Sequence, residues 1–288
     1  MAGAERQVQG LTRRGALAGA AVLGFAGVAR AAAQPPPLTL AGRLQQGGYA
    51  IGRTTPRAEI WVDGKDQGQA SADGLFVVGF DRDAPAEAVV QARTGGGQTE
   101  QHVAVAPGSF DIQRIDGLPQ DQVTPTDPEL LARIKREAER KAEGLASRAD
   151  ITGFKDGFQV PVEGARLSAH FGGQRILNGT PMRPHYGDDL AAPVGTPVHA
   201  PAPGVIAFAE TGLHYEGGLI MIDHGQGLVT MYLHLSRVDV AKGQSVSRGE
   251  LIGAVGKEGR ATGPHLCWRM KWRDRYLDPM LMVGAKAP

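Results

Sequence analysis

Five side chains in the second half of this sequence have the types and spacing of a metal site. The single cysteine, Cys267, lies two positions after His265 in Thr262-Gly263-Pro264-His265-Leu266-Cys267-Trp268. In an extended strand residues i and i+2 project to one face, so a thiol and an imidazole, both zinc-competent, stand side by side. His185 and Asp189 lie four apart in His185-Tyr186-Gly187-Asp188-Asp189, a turn leading into Leu190. His234 lies in Tyr232-Leu233-His234-Leu235-Ser236. Strand alternation puts Thr230, Tyr232 and His234 on one face and Val229, Met231, Leu233 and Leu235 on the other. A hydrolytic zinc site commonly has three protein ligands and an open position for water. His185, Asp189 and Cys267 suit the three ligands. His234 and His265 are then free to hydrogen-bond the water, or the oxyanion formed when water attacks a carbonyl. Asp188 is the rival of Asp189, but the four-residue spacing favours Asp189. His170, His199, His214 and His224 read as packed or surface residues. A Cys/His pair on one face also admits a cysteine hydrolase, with Cys267 as nucleophile and His234 or His265 as base. His185 and Asp189 would then have no purpose.

Such a site must be held by strands. From residue 158 to the end, short apolar runs alternate with dense glycine: 194–200, 205–209, 219–223, 228–235 and 251–255 are strand candidates. Helical periodicity is absent there, which predicts a β-sandwich or barrel-like sandwich. Residues 38–110 also read as short strands between Asp-Gly and Gly-rich turns, a small β-sandwich with one histidine, His102, and no chemical cluster. Between them, Asp127-Pro128 opens a helix over 127–150. Asp127 suits the N-cap and Pro128 the first turn, and Leu130, Ile134, Ala138, Ala142 and Leu145 recur at helical spacing. This segment reads as a link that packs one domain against the other. The fold class is therefore mostly β, with 41 glycines and 19 prolines to punctuate it.

Residues 1–33 read as an export signal. Thr12-Arg13-Arg14 precedes a weakly apolar run, and Ala29-Arg30-Ala31 and Ala31-Ala32-Ala33 offer cleavage sites. Paired arginines before a Gly/Ala-rich run favour the twin-arginine route and a periplasmic or envelope location. The run is shorter than the roughly 20 residues of a spanning helix. Removal of the signal leaves 27 basic against 29 acidic residues, a net of −2, so nothing in the charge suggests nucleic acid. One cysteine excludes an internal disulfide framework.

The segments that carry the site resemble the lysostaphin/LytM-type zinc metallopeptidases, whose domain is the duplicated hybrid motif. They are Phe171-Gly172, His185 to Leu190, Gly195-Thr196-Pro197-Val198-His199-Ala200, Asp223-His224-Gly225, Tyr232 to Ser236, Gly249 with Ile252-Gly253, and Thr262 to Leu266. The resemblance runs from about 158 to 279 and implies an all-β peptidase domain over 158–288, one zinc ion and hydrolysis of peptide bonds in peptidoglycan. By position it assigns His185, Asp189 and residue 267 to the metal and His234 and His265 to catalysis. It also implies that the small N-terminal sandwich is an accessory module. The chain departs from the pattern at Cys267, where the family has histidine. A thiolate leaves the zinc site formally neutral instead of +1, which predicts a less acidified water and slower hydrolysis at neutral pH. The alternative is a degenerate relative that binds or activates another cell-wall hydrolase.

Overall fold

The computed structural model describes Met1, Gly3 and residues 34–288; the predicted export signal lies outside the described residues apart from those first two. Strands come first. β1 (Leu38–Arg43), β2 (Tyr49–Thr54) and β5 (Leu75–Gly79) form a three-stranded antiparallel sheet. β3 (Glu59–Val62), β4 (Lys65–Gln69), β6 (Glu87–Thr94) and β7 (Gly97–Ala104) form a four-stranded one in the order β4-β3-β6-β7. Alternation explains the burial. In β6, Ala88, Val90 and Ala92 are buried while Val89 and Gln91 are only partly covered.

β8 (Ile112–Ile115) lies in a stretch that carries no strand pattern in the sequence. It is held by parallel pairing to β10 (Gln174–Leu177), which also pairs with β11 (Thr180–Pro181). Two helices follow β8. α1 (Gln120–Val123) is a single turn; α2 (Pro128–Leu145) is capped by Asp127, whose carboxylate accepts from Leu130 N at 2.7 Å. The buried stripe of α2 differs from the apolar one expected. Ala138 and Ala142 are exposed, while Glu137 and Gly144 are buried. The polar members are satisfied: Glu137 accepts from Arg133 at 2.7 Å and from His214 N at 2.9 Å. Lys141 pairs with Glu216 at 2.5 Å. Gly144 lies against Phe208 and Met221.

The largest sheet is built from β9 (Arg166–Ala169), β12 (Asp188–Ala191), β14 (Gly204–Leu213), β15 (Gly217–Asp223), β16 (Leu228–Leu235), β18 (Ser245–Val246), β20 (His265–Trp272) and β21 (Arg275–Leu277). Its order is β18-β14-β15-β16-β20-β12-β9, with β21 on β20. The path stays open and does not close into a barrel. β13 (Pro197–His199), β19 (Leu251–Ala254) and β17 (Arg237–Val238) form a small sheet of their own. On β20, Leu266, Trp268, Met270 and Trp272 face the main core. Cys267 instead joins Val229, Met231 and Leu233 in a second cluster on the opposite face.

β20 is also where the N-terminal strands press. Gly79 of β5 sits so close to Leu277 and Trp272 that an added Cβ would meet them at 2.8 and 3.1 Å, and Arg275 donates to Gly79 O at 2.9 Å. The main core runs continuously from Ile51 and Phe76 to Trp268 and Trp272. Among the described residues no helix is long and apolar enough to cross a membrane.

Candidate metal centre

Three neighbouring elements bring the site together. Asp189 on β12 is directly opposite Cys267 on β20, and Cys267 is opposite Leu233 on β16. Directly paired residues project to the same face, so the carboxylate and the sulfur share it. His185 reaches that face from the turn before β12. The turn is anchored by two backbone bonds, Gly172 N to His185 O and His185 N to Gly173 O, both 2.7 Å. Gly187 allows the close approach: a Cβ there would lie 2.7 Å from Trp268 O and 3.4 Å from the Cys267 sulfur.

His185 Nε2 lies 3.2 Å from Cys267 Sγ and 3.2 Å from Asp189 Oδ1. The three donor atoms all fall within 4.8 Å of one another and all three residues are buried. Asp189 Oδ1 has no properly directed hydrogen bond. A buried carboxylate oxygen in that state calls for a partner. Ligand atoms about 2.0–2.3 Å from a tetrahedral zinc stand about 3.3–3.7 Å apart; the nitrogen, oxygen and sulfur suit such an ion in kind, and the two 3.2 Å separations from His185 Nε2 lie close to that spacing. The other Asp189 oxygen is held by Arg175 at 3.1 Å, as a ligand carboxylate commonly is.

The two remaining histidines meet this trio from one side. His265 Nε2 is 3.6 Å from Asp189 Oδ1, and the His265 and His234 rings lie 4.8 Å apart. Each uses Nδ1–H to donate to a carbonyl, Gly263 O at 2.8 Å for His265 and Glu258 O at 2.7 Å for His234. In the neutral ring each Nε2 is thereby the acceptor. Simple alternation would have put His234 with Thr230 and Tyr232, on the face away from Cys267. The register explains the difference. Gly218 pairs with Leu235 and Leu219 with Leu233, so His234 is the extra residue of a β-bulge. Its φ of 67° is left-handed. Bulges of this kind re-aim a side chain, and a non-glycine residue in this region stores strain of about 1–3 kcal/mol.

The electrostatics follow from burial. Desolvation drives the His185 imidazole down to about 4 and, with the nearby His265, that of His234 down to about 3. Both rings are therefore neutral at ordinary pH, as ligation and hydrogen-bond acceptance require. Burial opposes ionisation of Asp189, but His185, His265 and Arg175 outweigh it and hold the carboxyl below its usual range. Burial pushes the Cys267 thiol up to about 12 against the pull of Arg269 and Arg175. Arg269 Nε donates to the sulfur at 3.3 Å. A fully enclosed thiol with a raised pKa is a poor nucleophile, which argues against the cysteine-hydrolase reading. A bound metal would displace that proton.

Asp188 is placed differently from Asp189. It accepts from Phe171 N at 3.0 Å, and burial together with Asp278 pushes its carboxyl up to about 8. His224 is buried in a network of its own, and His170, His199 and His214 take no part in the trio. The sequence reading missed Arg269 and Arg175. Arg269 was accessible, two positions after Cys267 on the same strand face; Arg175 carries no spacing signal. A cavity of about 710 Å³ opens beside Asp189 and His265, walled on one side by Asp111, Ile112 and Ile115.

The profile described as Peptidase family M23 matches residues 183–279. Peptidoglycan DD-endopeptidase ShyA of Vibrio cholerae is 42% identical over 116 residues, 40% of this chain and 27% of that protein. DD-carboxypeptidase/endopeptidase Mpg of Neisseria meningitidis is 42% identical over 127 residues, 44% of this chain and 29% of that protein. The matched part is thus under a third of either relative. The crystal structure of a Pseudomonas aeruginosa protein assigned to peptidase M23 superposes with a TM-score of 0.64 at 30% identity, covering 84% of this chain and 96% of that one.

Proposed function

The chain belongs to peptidase family M23, and on that premise we propose that it is an exported zinc metalloendopeptidase of peptidoglycan, cutting peptide bonds in cross-links or stem peptides. The observation that carries this is the convergence of His185, Asp189 and Cys267 within 4.8 Å beside two histidines whose Nε2 atoms accept. His185 Nε2, Asp189 Oδ1 and Cys267 Sγ would hold the ion. When bound, zinc supplies a Lewis acid that polarises the scissile carbonyl.

The remaining work belongs to the chain's own side chains. Glu258 O fixes the His234 tautomer and Gly263 O that of His265. His234, kept neutral by burial, accepts a hydrogen bond from the attacking water and orients it. His265 is half-buried at the mouth of the 710 Å³ cavity; it takes the proton as the water oxygen bonds to the carbonyl carbon. The resulting imidazolium steadies the oxyanion and returns the proton to the leaving amine. Arg175 keeps Asp189 ionised and pointed inward.

The same reading assigns residues 1–33 to a twin-arginine signal, 38–110 to an accessory β module, 127–150 to a helical link and 158–288 to the peptidase domain. Location in the periplasm or envelope follows, with peptidoglycan as substrate. The test is release of peptides from purified peptidoglycan by zinc-loaded protein, abolished by a chelator and restored by zinc. Zinc-loaded protein that releases nothing overturns the peptidase reading in favour of a partner of another wall hydrolase.

A further inference from the structure

β8 is the last strand of its small sheet, and β9 is the last strand of the large one. Both line the 710 Å³ cavity, β8 through Ile112 and Ile115 and β9 through Arg166, Ser168 and Ala169. Ile112 and Ile115 belong to opposite faces of the pleat. A strand that lines a cavity through both faces presents its edge to it.

The pairing of β8 decides which backbone groups that edge carries. Gln174 N donates to Asp111 O at 2.7 Å and Asn178 N to Ile115 O at 2.9 Å, in the parallel register with β10. Alternation then turns the backbone N–H and C=O of Ile112 and Arg114 away from β10. Among the described residues neither has another backbone partner. The edge is also held at both ends. Before it, Phe110 packs so closely on Gly172 that an added Cβ would overlap the ring, and it meets Phe171 edge-on at 6.2 Å. After it, Leu118 N donates to Asn178 Oδ1 at 3.1 Å and Asn178 Nδ2 to Leu118 O at 2.8 Å. One end reaches the chemistry, since Ile115 also lines a cleft of about 50 Å³ with Asp189, His234 and His265. β8 lies outside residues 183–279, so the family profile does not account for it.

We propose that the free edge of β8 is the docking strand for the peptide to be cut. The substrate adds beside Ile112 and Arg114 as an extended strand, and its chain runs past Ile115 to the catalytic histidines. The proposal deepens the peptidase reading and rests on it for the identity of the occupant. Strand addition takes its affinity from main-chain hydrogen bonds and its specificity from alternate side chains. Ile112, 65% exposed, offers one apolar contact to such a chain. An edge already fixed at both ends needs little further ordering on binding.

The experiment uses the full chain and a synthetic linear pentapeptide of stem-peptide type, with derivatives that carry one backbone N-methyl group each. Binding is measured by calorimetry on metal-free protein, and cleavage on zinc-loaded protein. Methylation should weaken binding about fivefold, the scale of one main-chain hydrogen bond, and at every second residue only. Ile112→Pro removes an outward N–H and spares the ladder to β10. It should weaken binding by a similar factor, and Ile112→Ala, which keeps that N–H, by less. Arg114→Pro should repeat the effect where circular dichroism shows that Ile112→Pro does not fold. Equal binding of all the methylated peptides overturns strand addition, as does a parent peptide that fails to bind at millimolar concentration. Equal losses in Ile112→Ala and Ile112→Pro overturn it as well. Tighter binding or faster cleavage by Ile112→Pro would make β8 an obstacle and overturn its docking role. A dimer in sedimentation that Ile112→Pro dissociates gives the edge to a second copy of the chain, with the same consequence. A period-two pattern without cleavage leaves the docking strand standing and removes the peptidase reading; cleavage without the pattern does the reverse.

Discussion

His185 and His224 are both buried histidines of the same domain, and burial drives both imidazoles down to about 4. They differ in what their nitrogens meet. His224 Nδ1 donates to Pro203 O at 2.7 Å. Its Nε2 accepts from Thr230 Oγ1 at 2.8 Å, in a chain that continues to the Tyr232 hydroxyl at 2.7 Å. Phe158 packs edge-on against the ring at 4.9 Å. Nothing in that corner is left over. His185 Nδ1 has no hydrogen-bond partner, and its Nε2 faces a sulfur and a carboxylate oxygen that is itself unsatisfied. A depressed pKa records desolvation in both cases. Unsatisfied convergence marks the corner built for something the chain does not itself supply.

The largest effect should come from the unsatisfied corner. His185→Ala should lower peptide release from peptidoglycan on the order of 10³-fold or more, as loss of a member of an interdependent site does. Bound zinc, read by atomic emission, should disappear with it. Stability of the metal-free protein to urea should be unchanged or higher, because one badly paired buried group has gone. A variant that keeps stoichiometric zinc contradicts the ligand assignment. His234→Ala should lower kcat by about 10²-fold, the scale of one positioned proton-handling group, with zinc retained. Alanine keeps the left-handed backbone of the bulge, so stability should stay level or fall slightly. Loss of zinc in that variant would mean that His234 is a ligand after all.

The satisfied corner should respond in stability and not in chemistry. His224→Leu strands the Pro203 carbonyl and the Thr230 hydroxyl, at a cost of about 2 kcal/mol at pH 7, while kcat at a permissive temperature stays as in the wild type. The cost depends on pH. The unfolded chain takes up a proton at this histidine near 6.5 and the folded one only near 4. The wild type therefore loses stability as pH falls between those values, by up to about 3 kcal/mol from this group. The leucine variant lacks that loss, so the two urea-unfolding curves should converge and cross toward pH 4. Parallel curves would show that the ring is not held neutral.

The same contrast explains what was legible in the sequence. Residues alternating at period 2 announce strands, so β16 and β20 and the shared face of His265 and Cys267 could be read from spacing. Asp189 and His185 gained their place from order and local context. Three things could not be read. The bulge at His234 depends on Gly218 and Leu219 of the neighbouring strand, a register that alternation within β16 does not encode. β8 and the buried stripe of α2 rest on tertiary partners: parallel pairing to β10 for the first, and carboxylate and ammonium pairs at Glu137 and Lys141 for the second. Hydrophobic periodicity is blind to a helix face buried through ion pairs.

The smallest effect, and the most discriminating, concerns Cys267, where the family resemblance implies histidine. Counting ligands alone, a thiolate at 267 leaves the zinc site neutral where histidine leaves it +1, which predicts slower hydrolysis. The Arg269 guanidinium 3.3 Å from the sulfur alters that count, since it adds a positive charge beside the thiolate. Cys267→His should therefore change kcat/KM by less than about tenfold, the effect of removing the thiolate being offset by the poor company of an imidazole and a guanidinium. A double-mutant cycle isolates the pair. Arg269→Gln should reduce kcat/KM by about tenfold next to the native cysteine, and by much less in the C267H background. Equal losses in both backgrounds would show that Arg269 acts independently of the sulfur. The cysteine would then stand as an uncompensated substitution, and the slower hydrolysis predicted from the ligand count should appear as a gain in rate for C267H at neutral pH.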